Sequence, residues 1–257
     1  MWKILRVSVL LLVLAFVASG TWFEQRRVHA WRQSLYVGIF PLAGDDSPVT
    51  RDYVAHLDRR EFTALESFFG EQAKIYGLPL TSPVRVELYP AVTPLPPAPP
   101  EHSGVLPVVW WSLSLRYYAW RHGSAPQGPA PPIRIFVVYH DPALTPRVPH
   151  SAGLEKGLIG VANVFALARM SATNNVVIGH EFLHTLGATD KYDPATDAPI
   201  FPVGYGDPRQ EPRYPQQFAE LMAGRIALSP TEQETPESLT QCVLGPETAR
   251  EIHWLKR

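Results

Sequence analysis

One run, HEFLHTLGATD at residues 180–190, constrains this chain more than any other part of its sequence. On an α-helix, residues four apart lie on the same face one turn apart, so His180 and His184 can direct their imidazoles at a single metal ion. Glu181 leaves that face at an angle and can reach a water molecule on the metal without being a ligand. The run therefore predicts a helix that carries two metal ligands and a general base.

Gly187 indicates where this helix ends. Glycine tolerates the left-handed conformation that reverses a chain at a helix C-terminus, and the reversal would return Asp190 to the same ion. A catalytic zinc site uses three protein ligands and leaves the fourth position to water, whereas a structural site fills all four with protein ligands. We therefore predict a catalytic zinc site with His180, His184 and Asp190 as metal ligands and Glu181 as the catalytic residue.

This pattern resembles the signature of the metzincin clan of zinc metallopeptidases, H-E-x-x-H-x-x-G-x-x-H, in which a minority of members have Asp at the last place. Asp190 stands here where the third histidine is usual. The clan also has a methionine in a tight turn beneath the metal, and Met222 in AELMAGRIAL lies at a compatible distance downstream. The resemblance covers about residues 174–226.

The resemblance implies a zinc-dependent endopeptidase that hydrolyses peptide or protein substrates by a metal-activated water, with Glu181 as general base. It implies an α+β fold, in which a mixed twisted sheet is combined with an active-site helix and a helical C-terminal part. It also implies that the strand before the active-site helix, at residues 158–165, borders the cleft and binds an extended peptide by strand addition.

The sequence departs from the clan pattern after the methionine. Some metzincins have a tyrosine shortly after it that helps at the metal, but no tyrosine occurs in the four residues that follow Met222. Tyr192 is the one candidate that we can name for a hydrogen-bond donor, and it can equally be an aromatic residue that packs the loop. Asp193 competes with Asp190 for the ligand position. We prefer Asp190 because it keeps the clan spacing, and Asp193 is then a partner of the ligands or a loop cap.

Two alternatives to this function stay open. In the first, a peptidase of another HExxH type takes its third ligand from a later glutamate, Glu220 or Glu211. In the second, a membrane-tethered zinc-binding scaffold or binding protein keeps the site for stability and has no turnover. The short return from Gly187 to Asp190 argues against the first alternative, and the intact Glu181 argues against the second.

Composition is that of a globular domain. The chain has 257 residues, of which 46% are hydrophobic and 18% are charged, so it can form one large domain with a core. The formal net charge of -1 disfavours nucleic-acid binding. Cys242 is the single cysteine, which excludes an internal disulfide.

The N-terminus predicts a membrane-targeting segment. Lys3 and Arg6 precede an apolar stretch at residues 7–23. The length of this stretch is near the lower limit of roughly 17 to 25 residues for a transmembrane helix. We assign residues 1–30 to a membrane anchor or signal segment and residues 31–257 to a single metallopeptidase-like domain. Such a segment usually exports the domain that follows it. We therefore expect a membrane-anchored or secreted protein with its catalytic domain outside the cytoplasm.

Hydrophobic periodicity predicts the elements around the site. We expect strands at residues 35–40, 84–89, 133–139 and 157–168. We expect helices at residues 51–76 and 105–120, the second as a core element in preference to a membrane-surface helix. The active-site helix is predicted to begin near Asn174 or Asn175, a short helix is expected at residues 217–221, and one or two more are expected in residues 231–257.

Overall fold

The structure is a computed structural model, which describes residues 26–100, 104–124 and 130–255. It confirms the predicted α+β class, since helices are combined with a five-stranded mixed sheet. The apolar segment predicted at residues 7–23 lies outside the described residues. Within the described ranges, no helix is both long enough and apolar enough to cross a membrane.

Four parallel strands and one antiparallel strand form the sheet. The strands are β1 (Leu35–Ala43), β2 (Val84–Leu88), β3 (Ile133–His140), β4 (Ala152–Leu154) and β5 (Ile159–Phe165). They lie in the order β2-β1-β3-β5-β4. The register places Ile39 of β1 opposite Ile135 of β3, and only β4 runs antiparallel to its neighbour. All four predicted strands are therefore present, although β5 is shorter than expected.

The position of β5 contradicts the expectation that residues 158–165 form the edge of the cleft. β4 covers the outer side of β5, with Gly153 opposite Gly160. The chain folds back between the two strands through a 3-10 turn, Glu155–Gly157, after which Leu158 adopts a left-handed φ of 53°. The edge on this side of the sheet is therefore β4, whose three residues are too few to show a strand pattern in the sequence.

Alternating side chains of the central strands form a separate core on each face of the sheet. Ile39 and Ile135 belong to the larger core, which is covered by α1 (Pro48–Ala55), α2 (Thr63–Ile75) and α4 (Ser171–Thr185). Phe40 and Phe136 belong to the smaller core, which is covered by α3 (Val105–His122). The helix with the HExxH run, α4, and the aromatic helix α3 therefore lie on opposite faces.

The single helix predicted for residues 51–76 is wrong, because the chain forms two helices there. Between α1 and α2, Asp58 caps a 3-10 turn, Arg59–Phe62. The Asp58 carboxylate accepts a hydrogen bond from the Arg60 amide at 2.8 Å, and the Glu61 carboxylate accepts one from the Asp58 amide at 3.4 Å. This capping box gives the backbone partners that a continuous helix would have supplied.

α4 begins at Ser171 and not at Asn174 or Asn175, as the capping preference of asparagine predicted. Both asparagines are buried inside the helix. The side-chain amide of Asn174 donates to the backbone carbonyl oxygen of Phe165 at 2.9 Å. The side-chain amide of Asn175 donates to the backbone carbonyl oxygen of Glu61 at 2.7 Å. The two side chains therefore tie α4 to β5 and to the turn before α2.

Within residues 231–255, the C-terminal part contains one α-helix, α5 (Pro246–Glu251), in agreement with the one or two helices predicted for residues 231–257. That range also contains a 3-10 turn, Leu239–Gln241, and two short strands, β8 (Gln233–Glu234) and β9 (Cys242–Val243), which pair with β7 (Ile226–Ala227) and β6 (Ala219–Glu220) respectively. β6 replaces the helix predicted for residues 217–221. Pro230 and Pro236 interrupt the helical spacing of this region, since proline lacks the amide donor that a helix interior needs.

α3 exists as predicted but is not a core element. Among its residues only Leu115, Tyr118 and Ala119 are buried, and they pack on the smaller core. Most of its other large apolar side chains are exposed. The sequence pattern could not show this exposure. An apolar helix that is covered on all sides and one that exposes an apolar side to solvent can have the same composition.

Candidate metal centre

The helix α4 ends directly after the second histidine, as predicted. Gly187 has a φ of 88°, and its amide donates to the carbonyl oxygen of His184 at 3.1 Å. The amide of Ala188 donates to the carbonyl oxygen of Leu183 at 3.1 Å. A left-handed glycine at this position reverses the chain, so the next residues return along the end of α4.

The reversal brings Asp190 to both histidines. Its Oδ1 atom lies 3.1 Å from Nε2 of His180 and 3.2 Å from Nε2 of His184. Ligand atoms of His180, Glu181 and His184 also lie within 4.8 Å of one another. Two imidazole nitrogens and two carboxylates therefore share one small volume, and this group of side chains could hold a metal ion.

Two backbone carbonyls fix the orientation of the histidines. Nδ1 of His180 lies 3.0 Å from the carbonyl oxygen of Leu221, and Nδ1 of His184 lies 2.8 Å from that of Ala188. Because a carbonyl oxygen only accepts hydrogen bonds, each Nδ1 carries the hydrogen and donates it. In a neutral imidazole, Nε2 then keeps a free lone pair, which is the form that a metal ion binds.

A tight turn at residues 220–224 supplies the carbonyl that orients His180. The amides of Ala223 and Gly224 both donate to the carbonyl oxygen of Glu220, and Gly224 has a φ of 65°. Met222 is fully buried in this turn. Its carbonyl oxygen accepts a hydrogen bond of 3.0 Å from the amide of Lys191. The turn therefore contacts both segments of the site, while the family role of Met222 stays a prediction.

Glu220 holds this turn in place, a role that the sequence did not reveal. It is fully buried, and its carboxylate accepts hydrogen bonds from the amides of Met222 and Ala223 at 2.6 and 3.1 Å. It also accepts from the Gly245 amide at 3.0 Å and the Thr248 hydroxyl at 2.6 Å. Burial raises the pKa of Glu220, although these donors oppose the shift. All its contacts belong to the scaffold of the turn, which argues against Glu220 as the third ligand.

The two other acidic candidates also have different surroundings. Asp193 is exposed, and its Oδ1 accepts a hydrogen bond of 2.7 Å from the amide of Ala195, so it caps the loop. Glu211 is an exposed residue of a later loop. Asp190 is the acidic residue whose carboxylate lies within 3.2 Å of both imidazoles.

An ion pair anchors the residue that follows Asp190. Nζ of Lys191 lies 2.8 and 2.7 Å from the two carboxylate oxygens of Glu251. It also donates to the carbonyl oxygen of Thr189 at 2.9 Å, and the Thr189 hydroxyl donates to Glu251 at 2.6 Å. Lys191 is only 3% exposed, whereas the Glu251 side chain is 20% exposed, so the contact is partly shielded from water. Because Glu251 lies in α5, far along the chain, the sequence offered no signal for this pair.

Burial and neighbouring charges set the ionisation of His180 and Asp190. Burial lowers the pKa of His180, but the hydrogen bond to Asp190, the charge of Glu181 and the Leu221 carbonyl outweigh it and raise the pKa to about 9. Burial also acts to raise the pKa of Asp190, but hydrogen bonds from His180 and His184 hold it well below its ordinary value. Without a metal ion, the site is therefore held together by a carboxylate and protonated imidazole.

Glu181 is buried beside the histidines and keeps one oxygen unpaired. The residue is 4% exposed, and Oε2 has no hydrogen-bond partner among the described residues. Burial raises the pKa of Glu181, while the charges of His180 and His184 act to lower it. A buried polar atom without a partner costs about 1–3 kcal/mol. Such an atom calls for an explanation, and a catalytic role is one of the few that account for it.

A cleft of about 580 Å³ opens beside His180. Tyr192, Arg225 and Asn163 contribute to its lining. The ring of Tyr192 lies 6.5 Å from that of His180. Burial, followed by the charges of Asp190 and Glu181, raises the pKa of Tyr192, so its hydroxyl stays protonated at neutral pH and can donate a hydrogen bond.

No protein-family model matches this chain, and a search of curated proteins finds no match to it. The resemblance to the metzincins therefore stays a prediction that rests on residues 180–190 and on Met222. The fold and the site together define an α+β protein with a His-Glu-His group that could hold a metal ion, in which Glu181 is buried and both histidines are partly exposed.

Proposed function

We propose that this protein is a zinc-dependent endopeptidase. The observation that carries the proposal is the position of Asp190, whose Oδ1 lies 3.1 and 3.2 Å from Nε2 of the two histidines. Two imidazoles and one carboxylate suit zinc and leave a coordination position for water, as catalytic zinc sites do. The Leu221 and Ala188 carbonyls support this ligand set, because they hold the histidines in the tautomer that presents Nε2.

The protein side chains then have separate tasks. A zinc ion bound by His180, His184 and Asp190 would polarise the peptide carbonyl and lower the pKa of water from about 15.7 toward about 7. Glu181 accepts the proton of the attacking water and passes it to the leaving amine. Its unpaired Oε2 leaves an oxygen free to accept this proton, and burial raises the pKa of Glu181, which favours the protonated intermediate state of this exchange. The hydroxyl of Tyr192 donates a hydrogen bond to the developing oxyanion.

The edge strand β4 is the proposed binding site for the substrate backbone. An extended peptide can add to an open sheet edge by main-chain hydrogen bonds. β4 passes close to α4, since a Cβ atom at Gly153 would overlap the Cβ of His184 and lie 3.1 Å from the carbonyl oxygen of Glu181. A peptide paired with β4 therefore runs close to His184. This assignment replaces residues 158–165 with β4.

The test compares peptide hydrolysis by the purified full-length chain with that of two variants. Glu181→Gln removes the proposed base, and Asp193→Asn removes a nearby exposed carboxylate as a matched control. We expect hydrolysis of a mixed peptide library by the wild type and the control, and a loss of activity of about 100-fold or more in Glu181→Gln. Zinc content is measured on all three proteins.

The outcomes separate an enzyme from a scaffold. Equal zinc in all three proteins with cleavage by the wild type and control alone supports the peptidase. Equal zinc with no cleavage by any of them supports the binding scaffold without turnover. Cleavage by Glu181→Gln at the wild-type rate contradicts the role of Glu181.

A further inference from the structure

Helix α3 carries an apolar stripe on its side away from the sheet. Its members recur at alternating spacings of four and three residues along the whole helix. They are Leu106, Trp110, Leu113, Tyr117 and Trp120, and their exposed fractions are between 55% and 81%. Residues at this spacing share one helix face, so the five side chains form one continuous surface.

This stripe is additional to the side of α3 that packs on the sheet. Leu115, Tyr118 and Ala119 are buried against the smaller core. A surface helix usually has one apolar side toward the core and a polar side toward solvent. Here both sides are apolar. Contiguous apolar surface of this kind marks a site of interaction with a protein or a membrane.

The charges of α3 favour an anionic lipid surface as the partner. Its sequence, VLPVVWWSLSLRYYAWRH, contains no Asp or Glu, and its two arginines are Arg121, which is exposed, and Arg116, which is half-buried with its Nε atom enclosed. Basic residues beside Trp, Tyr and Leu are typical of helices that lie in the membrane interface. A dimer formed through α3 is less favoured, because the second copy of the helix would bring no acidic side chain to pair with these arginines.

The N-terminal sequence places a bilayer within reach. The apolar segment at residues 7–23 is predicted to target the membrane, and it ends just before Arg26, the first described residue. A linker this short spans only about 3.3–3.6 Å per residue, so a membrane-embedded segment keeps the domain at the bilayer surface. We propose that the apolar stripe of α3 lies in the interface of that bilayer, with Trp110 and Trp120 at the level of the lipid headgroups.

The proposed orientation places α3 against the bilayer, while the chain enters the domain beside the end of α4, where Nε2 of His29 lies 3.0 Å from the carbonyl oxygen of Leu186. α3 packs on the smaller core, while α4 packs on the larger core across the sheet. His180 and His184 therefore lie on the face of the sheet that does not carry the stripe. The membrane contact is independent of the proposed peptidase activity and can be tested without it.

The experiment measures where the stripe lies by spin labelling of the full-length chain in lipid vesicles. A nitroxide is attached at Leu113→Cys or, as the control, at Glu71→Cys, which is an exposed position on α2. The vesicles contain phosphatidylcholine with phosphatidylglycerol. The native Cys242 is 4% exposed, and the unmodified chain carried through the same labelling is the blank. Oxygen, which concentrates in lipid, and a water-soluble nickel complex are the two collision reagents.

We expect the label at Leu113 to collide with oxygen and to be protected from nickel, and the label at Glu71 to show the reverse. A label at Tyr117→Cys should repeat the Leu113 result. Equal access of nickel to both labels would place the stripe in water and overturn the proposal. Protection of the Leu113 label from both reagents would also overturn it, because the stripe would then be covered by protein. Dipolar coupling between labels would identify that protein as a second copy, and its absence would indicate the N-terminal segment.

Discussion

Lys191, the residue after Asp190, forms a partly buried ion pair with Glu251. The ammonium group lies 2.7 and 2.8 Å from the two carboxylate oxygens, and the backbone amide of Lys191 also bonds the carbonyl oxygen of Met222. The loop that carries Asp190 is therefore held from both sides, by α5 and by the turn at residues 220–224. Asp190 reaches the histidines because its neighbours in the chain are fixed.

Breaking this pair is expected to weaken metal binding. Lys191→Met keeps the length of the side chain but removes the positive charge beside Glu251, so Thr189 alone links the loop to that carboxylate. We expect zinc affinity to fall by about 10–100-fold, the usual effect of removing a group that orients metal ligands. A competition titration with a chromophoric chelator measures the dissociation constant. Glu247→Gln breaks an exposed ion pair on the same helix, with Arg250, and should leave the affinity unchanged. Equal affinities in Lys191→Met and wild type would contradict the anchoring role.

A methyl group at Gly153 is expected to disturb the site by steric overlap. The added Cβ would overlap the Cβ of His184, which cannot move without displacing α4. We expect Gly153→Ala to lower the free energy of unfolding by about 1–3 kcal/mol and to reduce zinc affinity. Gly70→Ala is the matched control, because its Cβ would meet its nearest neighbour at an ordinary 3.5 Å. Urea unfolding and the chelator titration measure the two effects. A Gly153→Ala protein with wild-type stability and affinity would show that β4 does not pack against His184.

Zinc binding is expected to strengthen as pH rises. The metal-free protein holds a proton on His180 with a pKa of about 9. A metal ion must displace this proton at any lower pH, so the affinity should fall by about tenfold for each pH unit below that value. Calorimetric titrations at pH 7 in buffers of different ionisation enthalpy should show release of a proton from His180. An affinity that does not change between pH 7 and pH 9 would contradict this account.

The hydroxyl of Tyr192 is expected to contribute to turnover and not to metal binding. Tyr192→Phe removes the donor but keeps the ring beside His180. We expect kcat to fall by about 100-fold, as for the loss of one donor to an oxyanion, with zinc affinity unchanged. Steady-state kinetics on the best library peptide separate kcat from KM. An unchanged kcat would assign Tyr192 to packing of the loop.

The thiol of Cys242 is expected to be unreactive in the folded protein. Burial, followed by the nearby charge of Glu220, raises its pKa from 9.0 to about 12. Only the thiolate attacks thiol reagents, so the reaction should be much slower in native protein than in urea-unfolded protein at pH 8. A chromogenic disulfide reagent measures both rates. Equal rates would mean that the core around β9 opens readily.

Local geometry explains why the centre of the site could be predicted from the sequence. The positions of His180, His184 and Gly187 depend on the pitch of one helix and on its left-handed end, and both are properties of a few adjacent residues. Asp190 follows Gly187 by only three residues, so its return to the histidines also depends on a short segment. The main strands of the sheet were predictable for a similar reason, since alternation or a β-branched run is visible within each strand.

Long-range contacts explain what the sequence did not reveal. Glu220 bonds amides of the Met222 turn and of Gly245, and Lys191 pairs with Glu251, so each role depends on segments that are brought together by the whole fold. The capping preference of Asn174 was overridden by its hydrogen bond to β5. The exposure of α3 was also hidden, because composition does not show which side of a helix has a partner.

The most direct test of the metal centre is the zinc content of the full-length wild type and of two aspartate variants, measured by mass spectrometry after dialysis. Asp190→Ala removes the proposed third ligand, and Asp193→Ala removes the neighbouring carboxylate that caps the loop. We predict one zinc ion per chain in the wild type and in Asp193→Ala, and a large loss in Asp190→Ala. Equal zinc in all three proteins, or a loss in Asp193→Ala alone, would contradict the assignment of Asp190 as the third ligand.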